Sequence, residues 1–464
     1  MVQQGFVARS CVRIAFGYSV IPGSWCCSHR AIHALSKPRG GVSCRTLSRG
    51  VPSMSATVDV VDGINVICIS GTSHSEMGTA YGRSLAPVLQ GARDDLVASF
   101  AASGVSHQQL TDHAAVFQER YSYPWSLFLD GMATGAGLEL RDAMMLNAME
   151  TLVELLPPGR TRRVRCALVF APPKRTASLV SSIIGRNYDY DASIFGRIAS
   201  NLTVTILRFA DSLPTAIVGL PGQIYCPSCF NSRGVFMELN DGSPSGGAAI
   251  NQQRQSMLIR MLSAMQTSPD LASLHEEMRG LESDYSLVVN TADALATRSY
   301  EFSSNASLGS RPFTPSGDHT FVSTNYFLNA SWPWGSPAVP WPNDDNTWNG
   351  VTRRSNLLNL TTRLRTISVA AMQRTIATPL GAGGAQDGST IYQLVFEPST
   401  LNLSLRRPLQ PASTTWVNFS LRRYMPHRTP LSSTMPHHTS RSKGKPAQRS
   451  AVAYALGSAW VPQA

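Results

Sequence analysis

The sequence predicts an α+β fold of layered sheets and helices, and three observations carry that prediction. Strand-like runs open the folded part of the chain, and helical patterning then continues with few breaks from Met77 to about Leu156. At residue 157 the texture changes to apolar, β-branched runs in series, followed by two helices and then strands again. Elements grouped in this way fit an α+β architecture and not a doubly wound βαβ sheet. The 464 residues, 43% hydrophobic and 15% charged, suffice for a sizeable core. That composition excludes a disordered chain, a collagen-like repeat and a small disulfide scaffold. No apolar run approaches the ~18 residues that a membrane-spanning helix needs, so no integral membrane segment is expected.

Taken in order, residues 56–70 read as strand, with Gly63 as a turn or bulge. Ser73-His74-Ser75-Glu76 has the spacing of a capping box and starts a helix near His74. Breaks are expected at Ser103–Ser106 and Tyr123-Pro124, and the small residues around Met132–Glu150 allow close helix packing. Pro157-Pro158-Gly159-Arg160-Thr161-Arg162-Arg163-Val164-Arg165 reads as an exposed basic linker. Strands are expected at Cys166–Ala171, Leu179–Gly185, Leu202–Phe209, Ala216–Leu220 and Gly234–Leu239, with helices at Gln252–Met265 and Pro269–Leu281. Further strands fall at Tyr285–Asn290, Thr297–Phe302 and His319–Thr324, a helix at Gly350–Thr366, and a hairpin at Ile391–Phe396 and Leu401–Leu405.

Net charge is +11, which invites a nucleic-acid reading until its distribution is read. Residues 1–56 hold seven Lys or Arg and residues 398–464 hold nine, neither with an acid, which leaves 24 of the 40 basic residues against all 29 acidic ones in between. A groove that reads phosphates needs its charge in the folded body, so no nucleic-acid partner is expected. The basic, Ser- and Arg-rich stretch 1–56 resembles an organelle transit peptide, mitochondrial or plastid, more than a secretory signal. Met54 as the true start is the competing reading, and six Asn-x-Ser/Thr sequons would suit a secretory route. Residues 425–464 lack apolar periodicity and read as a disordered basic tail.

The cysteines narrow the chemistry. Cys226-Pro-Ser-Cys229 sits in a Gly/Pro/Ser-rich stretch, without the second pair or histidines that zinc wants, and is read as a loop feature and not a metal or redox site. Cys166 is different. With a hairpin turn near residue 176, Arg186-Asn187-Tyr188-Asp189 runs back beside Cys166 and brings a guanidinium and a carboxylate to a thiol. A neighbouring Arg⁺ favours the thiolate. Cys166 also follows the basic linker directly, so cleavage between Arg165 and Cys166 would give it a free α-amine, which titrates near ~8 and can serve as a local base. A buried strand cysteine beside an ordinary hairpin salt bridge is the plainer alternative.

The segment C-A-L-V-F…I-I-G-R-N-Y-D resembles the Cys…G-R-N-x-D signature of the N-terminal-nucleophile (Ntn) amide hydrolases, which include choloylglycine hydrolases, acid ceramidase and the isopenicillin N acyltransferases. The last of these is matched best. Gly71–Gly82 is similar to its G-x-x-x-E-x-G-x-x-x-G opening, and Asp130–Glu150 to its G-A-G…L-N-x-x-E segment. Cys226–Gly242 resembles its N-x-x-G…L-N block, and Ser323–Phe327 its T-N-H-F motif. Together these span roughly residues 58–424.

The resemblance implies a four-layer αββα sandwich over 166–424, preceded by a mainly helical segment, 57–165, that becomes a small subunit after autocleavage. It implies Cys166 as nucleophile, Arg186 against the thiolate, Asp189 holding the α-ammonium, and Asn240 and Asn325 as oxyanion donors. Asn187 and either Arg353 or Arg354 would support the site. The implied activity is an amidohydrolase or acyltransferase acting on a linear amide or acyl thioester. It needs no metal or organic cofactor, and acyl-CoA would serve as donor if the enzyme transfers. A lipid-amide hydrolase of the acid-ceramidase sort and an inactive Ntn-fold binding protein are the alternatives. Two departures stand out: Ala167 replaces the Thr or Ser that usually follows the nucleophile, and Tyr326 replaces the His of T-N-H-F.

Overall fold

Asp62 (φ 46°) and Gly63 (φ 77°) both occupy the left-handed region, as a two-residue type I′ hairpin turn requires. They join β1 (Ser55–Val61) to β2 (Ile64–Gly71) as antiparallel neighbours. The computed structural model describes residues 54–156, 165–305, 309–315, 318–333, 349–410 and 415–426. The presequence before residue 54, the linker 157–164 and the tail beyond 426 lie outside them.

The Ser73 hydroxyl accepts the Glu76 N–H at 3.4 Å and starts α1 (His74–Ser84) where the capping signal places it. There follow α2 (Ala86–Ala101), α3 (His107–Gln118), α4 (Tyr123–Ala136) and α5 (Leu140–Asn147). Ser106 caps α3, so the expected break at 103–106 is the α2–α3 connection. Pro124 opens α4 in its first turn, where a missing N–H costs nothing. α1 and α4 cross backbone to backbone. A Cβ added at Gly78 would stand 2.0 Å from the Phe128 carbonyl oxygen, and one at Gly131 would stand 2.2 Å from that of Ser75.

After Arg165 come β3 (Ala167–Ala171), β4 (Ile183–Asp189) and the short α6 (Ala192–Phe195). The chain continues through β5 (Thr203–Phe209), β6 (Thr215–Gly219), β7 (Ser228–Asn231) and β8 (Phe236–Asp241). Next are α7 (Ser243–Gly246), α8 (Met257–Thr267) and α9 (Leu271–Met278), then β9 (Leu287–Ala292), β10 (Thr297–Phe302), β11 (Ser310–Phe313) and β12 (Phe321–Ser323). The described chain ends with α10 (Gly350–Thr362), α11 (Val369–Ile376), β13 (Thr390–Glu397), β14 (Asn402–Arg406) and β15 (Val417–Ser420).

The architecture is mixed α+β with two sheets. One has nine strands in the order β1-β2-β5-β6-β7-β8-β9-β10-β11, and the other six, in the order β12-β3-β4-β13-β14-β15. Among the described strands, every ladder is antiparallel except β2 with β5, which run parallel with Asn65 opposite Thr203. The sheets meet through side chains of β7, β8, β4 and β13. Phe230 packs on Phe396 with centroids 4.4 Å apart, Ser228 bonds the Tyr392 hydroxyl at 2.9 Å, and Arg186 donates to the Leu239 carbonyl at 2.7 Å. Leu357 of α10 and Met372 and Ile376 of α11 pack on Ala167, Val169, Ile183 and Val395 of the six-stranded sheet. Among the described residues, no helix is long and apolar enough to cross a membrane.

Three local expectations are corrected. The second strand of the Cys166 hairpin is Ile183–Asp189, not Leu179–Gly185, because Thr176, Ser178 and Ser181 bond one another and turn the chain. The strand expected at Gly234–Leu239 runs Phe236–Asp241, since Gly234 (φ 84°) belongs to the turn. The helix expected from Gln252 starts at Met257, after Asp284 takes the Met257 N–H at 2.8 Å. β7 and α11 were not anticipated: one is masked by the turn-rich Cys226–Asn231 composition, the other by its eight-residue length.

Candidate active site

Cys166 immediately precedes β3 and is fully buried. Its hairpin pairs Leu168 with Arg186 and Ala167 with Asn187, so Arg186 lies two residues along from the direct opposition to Cys166 that the sequence predicts. An even shift keeps both side chains on one face, and Arg186 Nη2 reaches the thiol sulfur at 3.7 Å. The same guanidinium donates to Leu239 O at 2.7 Å and to Asn240 Oδ1 at 3.3 Å, and it is ion-paired with Glu238. Asn240 Nδ2 donates to Thr324 O at 3.4 Å. β8 therefore presents Glu238 and Asn240, two residues apart, on its inward face.

The carbonyl of the peptide bond before Cys166 and the residue that bears it are both tied down. Arg353, fully buried on the first turn of α10, donates to the carbonyl oxygen of Arg165 and, at 3.0 Å, to that of Cys166. Its other terminal nitrogen donates to Asn325 Oδ1 at 2.9 Å, and Asn325 Nδ2 donates to Asp241 O at 3.0 Å. The Arg165 backbone N–H donates to Asp189 O at 3.2 Å, and the Arg165 guanidinium pairs with Asp387 at 2.6 Å. Arg165 is thus anchored and only 18% exposed, unlike the exposed linker end that its composition predicts.

The electrostatics follow from burial. Asp189 is fully buried, 3.9 Å from Arg353, and neither carboxylate oxygen meets a hydrogen-bond donor in good geometry among the described residues. Burial, with the Asp387 carboxylate nearby, pushes it up to about 8. Burial also pushes the Cys166 thiol up to about 12, against the pull of Arg186. The expected depression of the thiol by its arginine is therefore overridden in the intact chain: burial outweighs the pull of Arg186, and the Asp189 and Glu150 carboxyls add to the rise.

Arg353 settles which of the two adjacent arginines faces the cluster. Arg354 points elsewhere, its Nε donating to Val322 O at 3.1 Å. Asn187 lies on the opposite face of β4, donating to Ile376 O at 3.1 Å and accepting from Gln393 at 3.1 Å, so it stands apart from the thiol. Ala167 also faces that way, into the α10–α11 cluster. Cys226 and Cys229 form a disulfide, with Cys229 on β7 and not in a loop.

Three acidic residues were not singled out from the sequence. Glu150, buried at the end of the first helical region, bonds the Tyr188 hydroxyl and accepts from Gln223 Nε2 at 3.2 Å; burial raises its pKa. Its only signal is the L-N-x-x-E ending. Glu238 lies two residues before Asn240 on β8, and that parity is a usable signal. Asp387 lies in a Gly-rich loop and gives none.

Neither a family model nor a curated protein sequence matches the chain. Among solved structures it is similar to an N-acylethanolamine-hydrolyzing acid amidase ortholog of Caenorhabditis elegans, with a TM-score of 0.39 and 12% identity over 50% of this chain and 93% of that one. It is also similar to a variant of the conjugated bile acid hydrolase of Clostridium perfringens, with a TM-score of 0.38 and 9% identity over 56% of this chain and 93% of that one. A third likeness is to penicillin V acylase of Agrobacterium tumefaciens, with a TM-score of 0.28 and 10% identity over 57% of this chain and 87% of that one. At these identities and TM-scores the likeness assigns neither a family nor an activity to the chain.

Proposed function

We propose that the chain is the precursor of a cysteine N-terminal-nucleophile amidohydrolase that cuts itself between Arg165 and Cys166, with its two sheets as the inner layers of an αββα sandwich. One observation carries this reading: the carbonyl oxygen of Arg165, the residue before a buried thiol, accepts a hydrogen bond from a buried arginine, Arg353. Attack on that carbonyl would place negative charge on the oxygen that the guanidinium already faces.

In self-cleavage the Cys166 sulfur attacks the Arg165 carbonyl carbon through a five-membered ring, and Arg353 stabilises the oxyanion. The C–N bond breaks, the thiol proton passes to the departing Cys166 nitrogen, and a thioester remains. Water hydrolyses it, leaving a carboxylate on Arg165 and restoring the thiol. The new α-amine takes a proton and meets Asp189, a buried carboxyl well suited to a cation that exists only after the cut. In turnover the α-ammonium first gives its extra proton to solvent, and the free α-amine then takes the proton of the same thiol as the sulfur attacks a linear amide. The acyl group then leaves to water, or to an amine if the enzyme transfers. Ala167 faces away from the thiol, so this departure from the family pattern places no apolar group against the nucleophile.

Intact mass spectrometry on wild type beside Cys166→Ala tests the reading. Two chains from wild type, the larger beginning at Cys166, with the variant whole, are expected. If both proteins stay whole under mild reducing conditions, the autoproteolytic reading fails and a binding role for the fold takes its place.

A further inference from the structure

One residue along the chain from two members of the Cys166 cluster, Asn325 and Arg353, the chain builds a second feature that self-cleavage does not use. A cleft of about 500 Å³ lies between one face of α10 and the segment that follows β12. Val351, Arg354 and Leu358 recur at the spacing of a single helix face, and Phe313, Tyr326 and Leu328 close the other side. Tyr326 follows Asn325 directly, and Arg354 follows Arg353, so both walls begin one residue beyond the groups that hold the Arg165–Cys166 bond.

The two adjacent arginines are treated differently. Arg353 is fully buried, and backbone carbonyls and Asn325 occupy its guanidinium. Arg354 is half-buried and is fixed through Nε by the Val322 carbonyl. It forms no ion pair with any described residue. Its terminal nitrogens are therefore held as a fork at a cleft that, apart from Ser355, is otherwise lined by aliphatic and aromatic side chains. Nη1 and Nη2 of a tethered guanidinium match the two oxygens of a carboxylate, and apolar walls favour an alkyl or aryl body behind it.

We propose that this cleft is a subsite for an acidic amide: Arg354 receives a carboxylate, and the apolar body that carries it packs between Tyr326 and the α10 face. As a substrate site it rests on the amidohydrolase reading; as a binding site it does not, and the experiments separate the two.

Isothermal titration of 4-phenylbutyrate into full-length Cys166→Ala protein is expected to give saturable binding, with neutral 4-phenylbutyramide at least ~10-fold weaker, the scale of a lost charge-assisted pair. Adding Arg354→Gln should weaken the acid by ~10-fold or more and leave the amide as it was, while Arg354→Lys should fall between. Equal melting temperatures for the three proteins exclude misfolding as the cause. The proposal is overturned if acid and amide bind alike, if neither binds, or if Arg354→Gln leaves the preference intact. On matured wild type, glutaranilate (the monoanilide of glutaric acid) and 4-(butyrylamino)benzoate carry a carboxylate on the acyl and amine halves respectively, and one of them should be cleaved ~10-fold better than butyranilide. Equal cleavage of all three overturns the subsite and leaves the hydrolase standing. Arg354-dependent binding with no amide turned over leaves the cleft standing and removes the hydrolase.

Discussion

At the scale of single residues, the environment of Cys166 is decided by competition. Arg186 favours a thiolate, but burial outweighs it and the Asp189 and Glu150 carboxyls oppose it, so the intact chain holds a neutral thiol. Arg353 then matters most for self-cleavage, since it alone among the described side chains donates to the Arg165 carbonyl. Arg353→Gln should slow the cut by about 10²-fold or more, the cost of a lost oxyanion donor, read by mass spectrometry over time. A matching melting temperature for Arg353→Gln in the Cys166→Ala background separates this from unfolding. Asp189 gives a pH signature. Its carboxyl is neutral in both states below about pH 4, but between there and about 8 the unfolded chain gives up a proton that the folded chain keeps. The group therefore makes the uncleaved protein less stable as pH rises through that window. In the Cys166→Ala background, Asp189→Asn should raise the urea midpoint at pH 8 and leave it nearly unchanged at pH 4. An equal gain at both pH values would contradict the buried-acid account.

At the scale of elements, the α1–α4 crossing and the Cys166 hairpin carry the most consequence. Gly78→Ala places a methyl group 2.0 Å from a backbone oxygen that cannot give way, and it should cost ~3 kcal/mol or more, the upper range for overpacking. Gly91, inside α2, meets nothing within 4 Å. Gly91→Ala should instead stabilise by ~0.5–1 kcal/mol through helix propensity. Denaturant midpoints of the two variants test the contrast, and a loss at both sites would mean that α2 is also tightly packed. The hairpin illustrates how far spacing reaches. Parity puts Cys166 and Arg186 on one face, but Ser178, Ser181 and Thr176 spend seven residues on a bonded turn and set the register two residues off.

At the scale of the molecule, the segments on the two sides of the proposed cut are woven together. β2 pairs parallel with β5 over seven residues, and Arg407 bonds the Asp62 and Gly63 carbonyls of the first turn. Glu150 reaches Tyr188 beside the thiol. The two products of cleavage should therefore co-elute on size exclusion and separate only in denaturant; separation without denaturant would show that the parallel pairing does not survive the cut.

The amino-acid pattern by itself determined the mixed α+β class, the first capping site and the type of most strands and helices, though not β7 or α11. It also determined the grouping of Cys166 with Arg186 and Asp189, because these depend on period, caps and local hairpin return. It could equally reveal the glycines that let α1 and α4 touch, since their spacing follows the helix repeat. Tertiary structure alone decided that Arg353 and not Arg354 faces the cluster and that Asn187 turns away. It also decided that Glu238 and Asp387 complete the charge balance, and that the thiol is raised and not lowered. Those outcomes depend on which sheet faces which and on how much water each group loses, and neither quantity is local in sequence.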